Sequence, residues 1–255
     1  MKAKMKPMRA LVMRQSIRKA LLLVALLLWP VTLYYFSPAL IFEGTSERLI
    51  NGSFIVFSAL LFLSLIFGRV WCGWLCPGAA LQEMLFAVND KRLEKPRDWI
   101  RWAIWIPWIT SLALVAFFAG GYERVDFFYR THSGVSVGDT SGYIVYYTVL
   151  VVFFSTALIA GRRAACHRIC WMSPFMVIGR KVSNTLHLPA LRLAVTPDKC
   201  VKCEVCTRNC PMSLNVAQMV QSGRLEHPEC VLCGTCVDSC KQKAIDYAFT
   251  TPQKH

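Results

Sequence analysis

The chain has 255 residues, of which 55% are hydrophobic and only 17% are charged. A soluble domain carries about 25% charged residues, so this composition argues against a wholly soluble protein. The formal net charge of +14 would suit a nucleic-acid partner in a soluble protein, but here the basic residues flank long apolar runs. We therefore expect no nucleic acid as a partner. The basic residues orient the chain in a bilayer and attract the head groups of membrane lipid.

A basic N-terminal segment, residues 1–19, precedes four apolar stretches that we predict to cross a bilayer core of about 30 Å. These predicted spans are Ala20–Phe42, Ile50–Phe67, Trp102–Ala119 and Tyr143–Ala160. The first stretch is too long for a signal peptide, and no small-residue cleavage site follows it. We expect it to be retained as a membrane span.

The distribution of basic residues predicts the orientation of these spans. The segments outside the spans hold 26 Lys and Arg residues on one side and three on the other, namely Arg48, Arg124 and Arg130. Positive charges stay in the cytoplasm. The chain is therefore predicted to be a multi-pass protein of the bacterial inner (cytoplasmic) membrane, with both termini and the C-terminal domain in the cytoplasm.

The four predicted spans contain no Asp, Glu, Lys, Arg or His. Pumps and transporters need ionisable groups at membrane depth, and a membrane b-type haem needs histidine ligands, so both classes are disfavoured. All histidines fall outside the spans, and we expect them to be polar surface residues. They are His132, His167, His187, His227 and His255.

The membrane region contains an internal repeat. Two predicted spans end in Gly-Arg followed by a C-x-x-x-C pair, as "GRVWCGWLCP" at 68–77 and as "GRRAACHRICWMSP" at 161–174. The paired cysteines, Cys72 with Cys166 and Cys76 with Cys170, are each separated by 94 residues. A proline follows each motif and favours the start of a helix. We expect an amphipathic helix after each proline, lying flat on the cytoplasmic surface of the membrane.

Two further cysteine runs lie in the C-terminal part of the chain. The runs are Cys200, Cys203, Cys206, Cys210 and Cys230, Cys233, Cys236, Cys240, both spaced C-x2-C-x2-C-x3-C. Three closely spaced cysteines wrap three corners of a cubane cluster, so the fourth ligand crosses to the other cluster. The predicted ligands of cluster 1 are Cys200, Cys203, Cys206 and Cys240. Those of cluster 2 are Cys210, Cys230, Cys233 and Cys236.

Zinc is the alternative for these eight cysteines, but zinc ribbons use two C-x-x-C pairs at a longer separation. Pro211 follows the first run, as in bacterial ferredoxins, whereas Lys241 replaces that proline after the second run. Gly234 is expected to let the backbone approach the cluster closely. Two [4Fe-4S] clusters are therefore the predicted cofactors.

The C-x-x-x-C cysteines form a further candidate site. On a helix, positions i and i+4 lie on one face, and the pseudo-symmetry of the repeat should bring the two pairs together. Cys76 precedes the helix predicted from Pro77, where the helix dipole favours a thiolate. Cys72, Cys76, Cys166 and Cys170 are thus candidates for a third iron–sulfur cluster, or alternatively for redox-active thiols.

These motifs resemble two families. The C-terminal runs resemble bacterial two-cluster ferredoxins, and the chain as a whole resembles the NapH/NosR-type membrane-bound ferredoxins. The first C-x-x-x-C motif matches that family's pattern at Cys72, Cys76 and Pro77, whereas Cys170 is followed by Trp171. The resemblance implies that the protein supplies electrons between the quinone pool, or a cytoplasmic donor, and a partner oxidoreductase or another ferredoxin subunit, with quinone or quinol as a membrane substrate.

The predicted fold is mainly α. A four-helix transmembrane bundle of two repeated helix pairs occupies residues 20–186, a linker follows at 187–195, and a small α+β two-[4Fe-4S] ferredoxin-like domain occupies 196–255. The sequence shows no nucleotide-binding motif and no Ser-His-Asp set, so we expect an electron-transfer subunit without substrate chemistry of its own. The alternatives are an accessory protein that reduces copper or thiols during maturation of a metalloenzyme, and an iron–sulfur redox sensor.

Overall fold

The computed structural model describes residues 6–93 and 97–252. The helices of the N-terminal region are α1 (Lys6–Leu27), α2 (Trp29–Thr32), α3 (Pro38–Ser46), α4 (Gly52–Phe67), α5 (Val70–Trp74), α6 (Pro77–Met84), α7 (Trp99–Ala119), α8 (Thr140–Ala160), α9 (Ala164–Arg168) and α10 (Ser173–Thr185), with two short strands, β1 (Leu49–Asn51) and β2 (Arg124–Asp126). The C-terminal region contains β3 (Ala190–Val195), α11 (Val205–Arg208), α12 (Val216–Gln221), α13 (Thr235–Ser239) and β4 (Ile245–Thr250). Short 3-10 helices occupy Leu33–Phe36, Leu85–Ala87 and Pro197–Lys199.

The first predicted span, Ala20–Phe42, is not one continuous helix. Helix α1 ends at Leu27, and the chain then bends by 60° into Trp29–Phe36. Pro30 accounts for the break, because proline has no N–H to donate to the carbonyl of residue 26 and its ring clashes with that carbonyl. The basic segment predicted at 1–19 is part of the same helix from Lys6 onward, and residues 1–5 lie outside the described residues.

The other predicted spans differ in length. Helices α7 and α8 have 21 residues each and are long and apolar enough to cross a membrane, and the bent pair would make a third span. Helix α4 has 16 residues, which at 1.5 Å per residue gives about 24 Å, and it ends at Gly68 with a φ of 56°. The third and fourth predicted spans are therefore confirmed as apolar helices of sufficient length, whereas the four-span bundle stays a prediction.

The helices after the two cysteine motifs pack reciprocally on the two halves of the repeat. Helix α10 of the second half lies against α4 of the first half, so closely that a Cβ on Gly179 would overlap the Ser64 side chain. Helix α6 of the first half lies against α8 of the second, with Gly78 against the Phe153 ring. Both helices start as predicted, and most of α10 and the first half of α6 are buried against other helices. That the two helices lie flat on the membrane surface stays a prediction.

The C-terminal domain is closed by a two-stranded antiparallel sheet. Strand β3 pairs with β4 from Ala190 opposite Thr250 to Val195 opposite Ile245. The segment expected as a linker at 187–195 therefore contributes a strand to this domain. The N-terminal half of α1 packs against the same domain, through an ion pair of 2.5 Å between Arg14 and Asp238. The start of α1, both cysteine pairs and the C-terminal domain thus lie at one end of the molecule.

Candidate iron–sulfur sites

The four cysteines predicted for cluster 2 line one cavity. Its other walls are apolar and include Leu193, Val216 and Leu225. The four cysteines are Cys210, Cys230, Cys233 and Cys236. Cys210 therefore lies beside the three cysteines of the other run, which is the grouping that crossed ligation requires.

The acidity of these thiols reflects their burial and their proximity. Burial, with a contribution from Cys233, raises the pKa of Cys210 to about 11. Burial raises the pKa of Cys230 to about 12, and Cys233 and Cys210 add to the rise. Cys210 and Cys230 are therefore held as neutral thiols without metal, and iron must displace their protons on binding. The donor set and its apolar walls fit a [4Fe-4S] cluster.

The four cysteines predicted for cluster 1 lie nearer the surface. Cys203 is exposed, and Cys200, Cys206 and Cys240 are half-buried. Helix α11, which carries Cys206, packs against α13, which leads into Cys240. The chain thus brings the end of the second run to the first run.

Gly234 adopts a left-handed conformation with a φ of 77°. A Cβ there would lie 2.7 Å from the Tyr247 hydroxyl oxygen, and that hydroxyl donates a 2.6 Å hydrogen bond to the Leu232 carbonyl. The close approach that Gly234 permits is therefore to Tyr247 of β4, which fixes the turn between Cys233 and Cys236.

The two C-x-x-x-C motifs have the same local backbone structure. In the first, the N–H groups of Leu75 and Cys76 both donate to the Trp71 carbonyl, at 3.0 and 3.1 Å. In the second, the N–H groups of Ile169 and Cys170 both donate to the Ala165 carbonyl, at 3.0 Å each. Corresponding residues are 94 positions apart, so the repeat seen in the sequence is also a structural repeat.

The two motifs converge on one cavity of about 220 Å³. All four cysteines line it, and all four are free thiols: Cys72, Cys76, Cys166 and Cys170. Burial raises the pKa of Cys76, and the other three thiols raise it further. Burial and the neighbouring thiols also raise the pKa of Cys170, to about 12. The sequence prediction that the pairs come together is thus matched by the geometry, and four converging thiols in a cavity of this size fit a metal cluster.

Two buried arginines flank these thiols. Arg69 is 1% exposed and Arg163 is 0% exposed, and they are 94 residues apart, like the cysteines. A guanidinium nitrogen of Arg69 lies 4.0 Å from the Cys72 sulfur, and Arg163 donates a 2.9 Å hydrogen bond to the Cys72 carbonyl. Each arginine is also ion-paired with a carboxylate, Arg69 with Glu229 and Arg163 with Glu83, so neither guanidinium lacks a counter-charge. The offset of 94 residues identifies Arg163, and not its neighbour Arg162, as the counterpart of Arg69.

A buried carboxylate joins the N-terminal helical region to the loop of cluster 2. Glu229, next to Cys230, forms ion pairs with Arg69 at 2.5 Å and with Arg101. Burial would raise the pKa of Glu229, but the two arginines hold it well below its usual range. Nothing in the sequence spacing indicates this contact, because the partners are 160 and 128 residues away along the chain.

His167 extends this group. It is 1% exposed, so the prediction of a surface histidine is wrong for this residue. Its Nδ1 lies 2.7 Å from an Asp98 carboxylate oxygen, and ligand atoms of Asp98, His167 and Glu229 lie within 4.8 Å of one another. Because Arg69 and Arg101 already neutralise Glu229, this trio does not fit a metal cation.

The cluster 2 loop touches the first C-x-x-x-C motif directly. A Cβ on Gly73 would overlap the Val231 carbonyl oxygen, and the Trp74 indole donates a 3.0 Å hydrogen bond to the Leu232 carbonyl. Arg163 interacts electrostatically with Cys166 and Cys72 of the four-thiol cavity and also with Cys233 of the cluster 2 cavity. The four-thiol cavity and the cluster 2 cavity are therefore neighbours.

Comparison with known protein families finds iron–sulfur domains in both parts of the chain. A family described as a 4Fe-4S binding domain matches residues 52–96, which contain α4, the first cysteine pair and α6. A 4Fe-4S dicluster domain matches residues 199–245, which contain both cysteine runs. The chain therefore carries two 4Fe-4S ferredoxin-type domains, and two [4Fe-4S] clusters are its cofactors.

Several curated proteins are similar to this chain. An uncharacterized protein of Methanocaldococcus jannaschii is 24% identical over 74% of this chain and 76% of its own length. The putative electron transport protein YccM of Escherichia coli is 24% identical over 71% of this chain and 51% of its own length. The methylamine utilization ferredoxin-type protein MauN of Methylorubrum extorquens is 27% identical over 59% and 50%, respectively. The chain spans about half the length of these last two relatives. No solved structure matches it. The domains and relatives together indicate an iron–sulfur electron-transfer protein.

Proposed function

We propose that the protein is a membrane-anchored electron relay of the NapH/NosR type, which passes single electrons between the cytoplasm and the quinone pool or a partner oxidoreductase. Each [4Fe-4S] cluster carries one electron when bound. The chain's own contribution is to hold three ligand sets in order, from an exposed set to a set at the base of the membrane helices.

The proposed ligand sets follow the groups of cysteines described above. Cluster 1 is held by Cys200, Cys203, Cys206 and Cys240, and cluster 2 by Cys210, Cys230, Cys233 and Cys236. A third cluster is held by Cys72, Cys76, Cys166 and Cys170. Crossed ligation is supported by Cys210, which lines the cavity of the second run.

The observation that carries this proposal is the convergence of both C-x-x-x-C pairs on one cavity beside the cluster 2 loop. Isolated structural cysteines would have no reason to meet in a buried cavity flanked by two arginines. A redox site there would lie between the ferredoxin domain and the membrane helices. That is the position a relay requires.

The same cavity is lined by apolar and aromatic residues as well as by the thiols. These residues come from the bent segment after α1 and from α8: Trp29, Leu33, Tyr34, Phe36, Val145, Val149 and Phe153. Ligand sites of this kind combine apolar and aromatic walls with a few polar groups. We assign quinone or quinol as the substrate bound against these residues.

The protein is oriented with both termini and all cysteines in the cytoplasm. This orientation is supported by the distribution of basic residues and by the contact of Arg14 with Asp238 at the same end of the molecule as the cysteine pairs. A cytoplasmic reporter fused after His255 should be active. An active periplasmic reporter at that position would contradict the orientation.

Reoxidation of the reduced protein tests the relay. The protein in lipid nanodiscs is reduced, freed of excess reductant and mixed with either a membrane-confined quinone or soluble ferricyanide. The double variant Cys72→Ala/Cys166→Ala should be reoxidised by quinone at least about 10-fold more slowly than wild type, which corresponds to about 1.4 kcal/mol in the barrier. Ferricyanide should reoxidise both proteins equally, because it reaches the exposed cluster. Equal rates with quinone would contradict the relay.

A specific contact favours a second candidate function, the reduction of copper during assembly of a metalloenzyme. The Met176 sulfur lies 3.8 Å from the Cys72 sulfur, and Met172 lines the same cavity. Thiolate and thioether sulfurs are the soft ligands that Cu(I) prefers. Purification in mild detergent discriminates the two functions: a quinol-linked reductase that co-purifies supports the relay, and a copper enzyme supports the second function.

A further inference from the structure

The exposed ligand set is flanked in the sequence by basic residues. We call this group the basic rim, and it consists of Lys199, Lys202, Arg208, Lys241 and Lys243. All five residues are exposed, and three of the lysines are direct sequence neighbours of Cys200, Cys203 or Cys240. Among the described residues, no ion pair involves any of the four lysines.

Acidic residues balance the basic rim only in part. The segments 196–208 and 241–246 contain Asp198, Glu204 and Asp246, so five positive and three negative charges leave a net charge of +2. The second ligand set has no basic sequence neighbour, and Glu229 adjoins Cys230. The positive charge is therefore specific to the exposed set and is not a general property of the ferredoxin domain.

Two exposed, uncharged residues lie among the basic residues of this segment. Val201 is 63% exposed, and Cys203, two residues later, is the exposed cysteine of the set. Protein–protein interfaces typically have an apolar centre and a polar rim. A partner bound here would contact a cluster ligand directly. Such a contact shortens the path of electron transfer to a redox protein, whereas it serves no purpose for a lipid or a nucleic acid.

We propose that the basic rim is the docking surface for a small acidic one-electron carrier protein. This proposal rests on the proposed function, because it names the partner of the exposed cluster. The carrier presents negative charge to the five basic side chains, and its redox group comes to lie near Cys203. One electron leaves the reduced carrier and enters a [4Fe-4S]²⁺ cluster, which becomes [4Fe-4S]⁺, or moves in the opposite direction. No bond is made or broken.

Stopped-flow kinetics with an acidic flavodoxin test the docking surface. The protein is held in nanodiscs of zwitterionic lipid. Electron transfer is measured from reduced flavodoxin to the oxidised protein and also in the reverse direction, because one of the two is favourable whatever the reduction potentials of the two proteins are. Lys241→Glu should lower the second-order rate constant about 10-fold at an ionic strength of about 10 mM. The difference should shrink at about 150 mM, where the Debye length falls to about 8 Å.

Two controls separate docking from net charge. Lys181→Glu makes the same change of charge on α10, where Lys181 lies over the Trp102 ring, and it should leave the rate constant unchanged. Reduced methyl viologen, a cation, should react with Lys241→Glu as fast as with wild type or faster. Iron content establishes that the clusters are intact, and Lys202→Gln provides a milder variant with an expected loss of about 3-fold.

Three results would overturn the proposal. These are an unchanged rate constant in both rim variants, an equal loss in Lys181→Glu, and a loss of the flavodoxin reaction in nanodiscs of anionic lipid, which would mean that the lysines face lipid head groups. Failure of the relay itself gives a different result: quinone would then reoxidise Cys72→Ala/Cys166→Ala as fast as wild type, while the flavodoxin kinetics would still depend on the basic rim.

Discussion

The two cysteine runs have the same spacing but very different surroundings. The first set has an exposed cysteine and lysines as sequence neighbours, whereas the second has three buried cysteines and apolar walls. The second set is also tied to the membrane domain, through Glu229 and through the contact between Gly73 and Val231. The spacing of the cysteines determines which cofactor binds, and the residues around each set determine which molecules its cluster can exchange electrons with. In the proposed relay, the first set is the one that soluble partners reach, and the second set is the one next to the N-terminal helices.

Replacing a single crossed ligand should give the largest difference in iron content between the two ligand sets. Cys210→Ser should remove about four iron atoms from cluster 2 and leave cluster 1 in place, because Cys210 lines the cavity of the second run. Cys240→Ser is the reciprocal control and should remove cluster 1. A membrane-impermeant chelator identifies the surviving cluster, since the exposed cluster should lose iron faster. Loss of each cluster from its own run would refute crossed ligation.

Breaking the buried ion pair should detach the second set from the membrane domain. Glu229→Gln leaves Arg69 and Arg101 buried without a counter-charge, which should cost about 3–5 kcal/mol of unfolding free energy. Denaturant unfolding in detergent measures the loss. Glu123→Gln is the matched control, because its partner Arg48 is exposed and the expected loss is below about 1 kcal/mol. Similar losses in both variants would show that Glu229 does not anchor the domain.

A methyl group at the contact between the two domains should give a smaller effect. In Gly73→Ala the new Cβ would overlap the Val231 carbonyl oxygen, so the cluster 2 loop must move, at a cost of about 1–3 kcal/mol. Chelation of cluster 2 should become faster, while chelation of cluster 1 is unchanged. If neither rate changes, the contact between Gly73 and Val231 is too loose to position cluster 2.

The chemistry of the sites could be predicted from the sequence because it depends on local spacing. The eight ferredoxin cysteines and the C-x-x-x-C repeat are visible as patterns of a few residues, and the offset of 94 residues predicted that the two pairs meet. The helix that starts at Pro77 follows from the fixed φ of proline. The apolar runs of α7 and α8 can be recognised in the sequence, by their length and composition, as helices that could cross a membrane.

Features that depend on distant contacts could not be predicted in this way. The partner of β3 is 60 residues away at its first pair, Ala190 with Thr250, so a strand was indistinguishable from a linker. The burial of His167 depends on the docking of the C-terminal domain. The break in the first span is a local feature, since Pro30 lies inside an apolar run, and it was missed because hydrophobicity outweighed the backbone effect of proline.

Iron and acid-labile sulfide per chain test the central claim most directly. A relay with three ligand sets should contain about twelve iron and twelve sulfide in the wild-type protein, and about eight of each in Cys72→Ala/Cys166→Ala. The double variant removes one thiol from each pair that lines the shared cavity. A wild-type content near eight that does not change in the variant would contradict the third cluster, and the pairs would then be redox-active thiols.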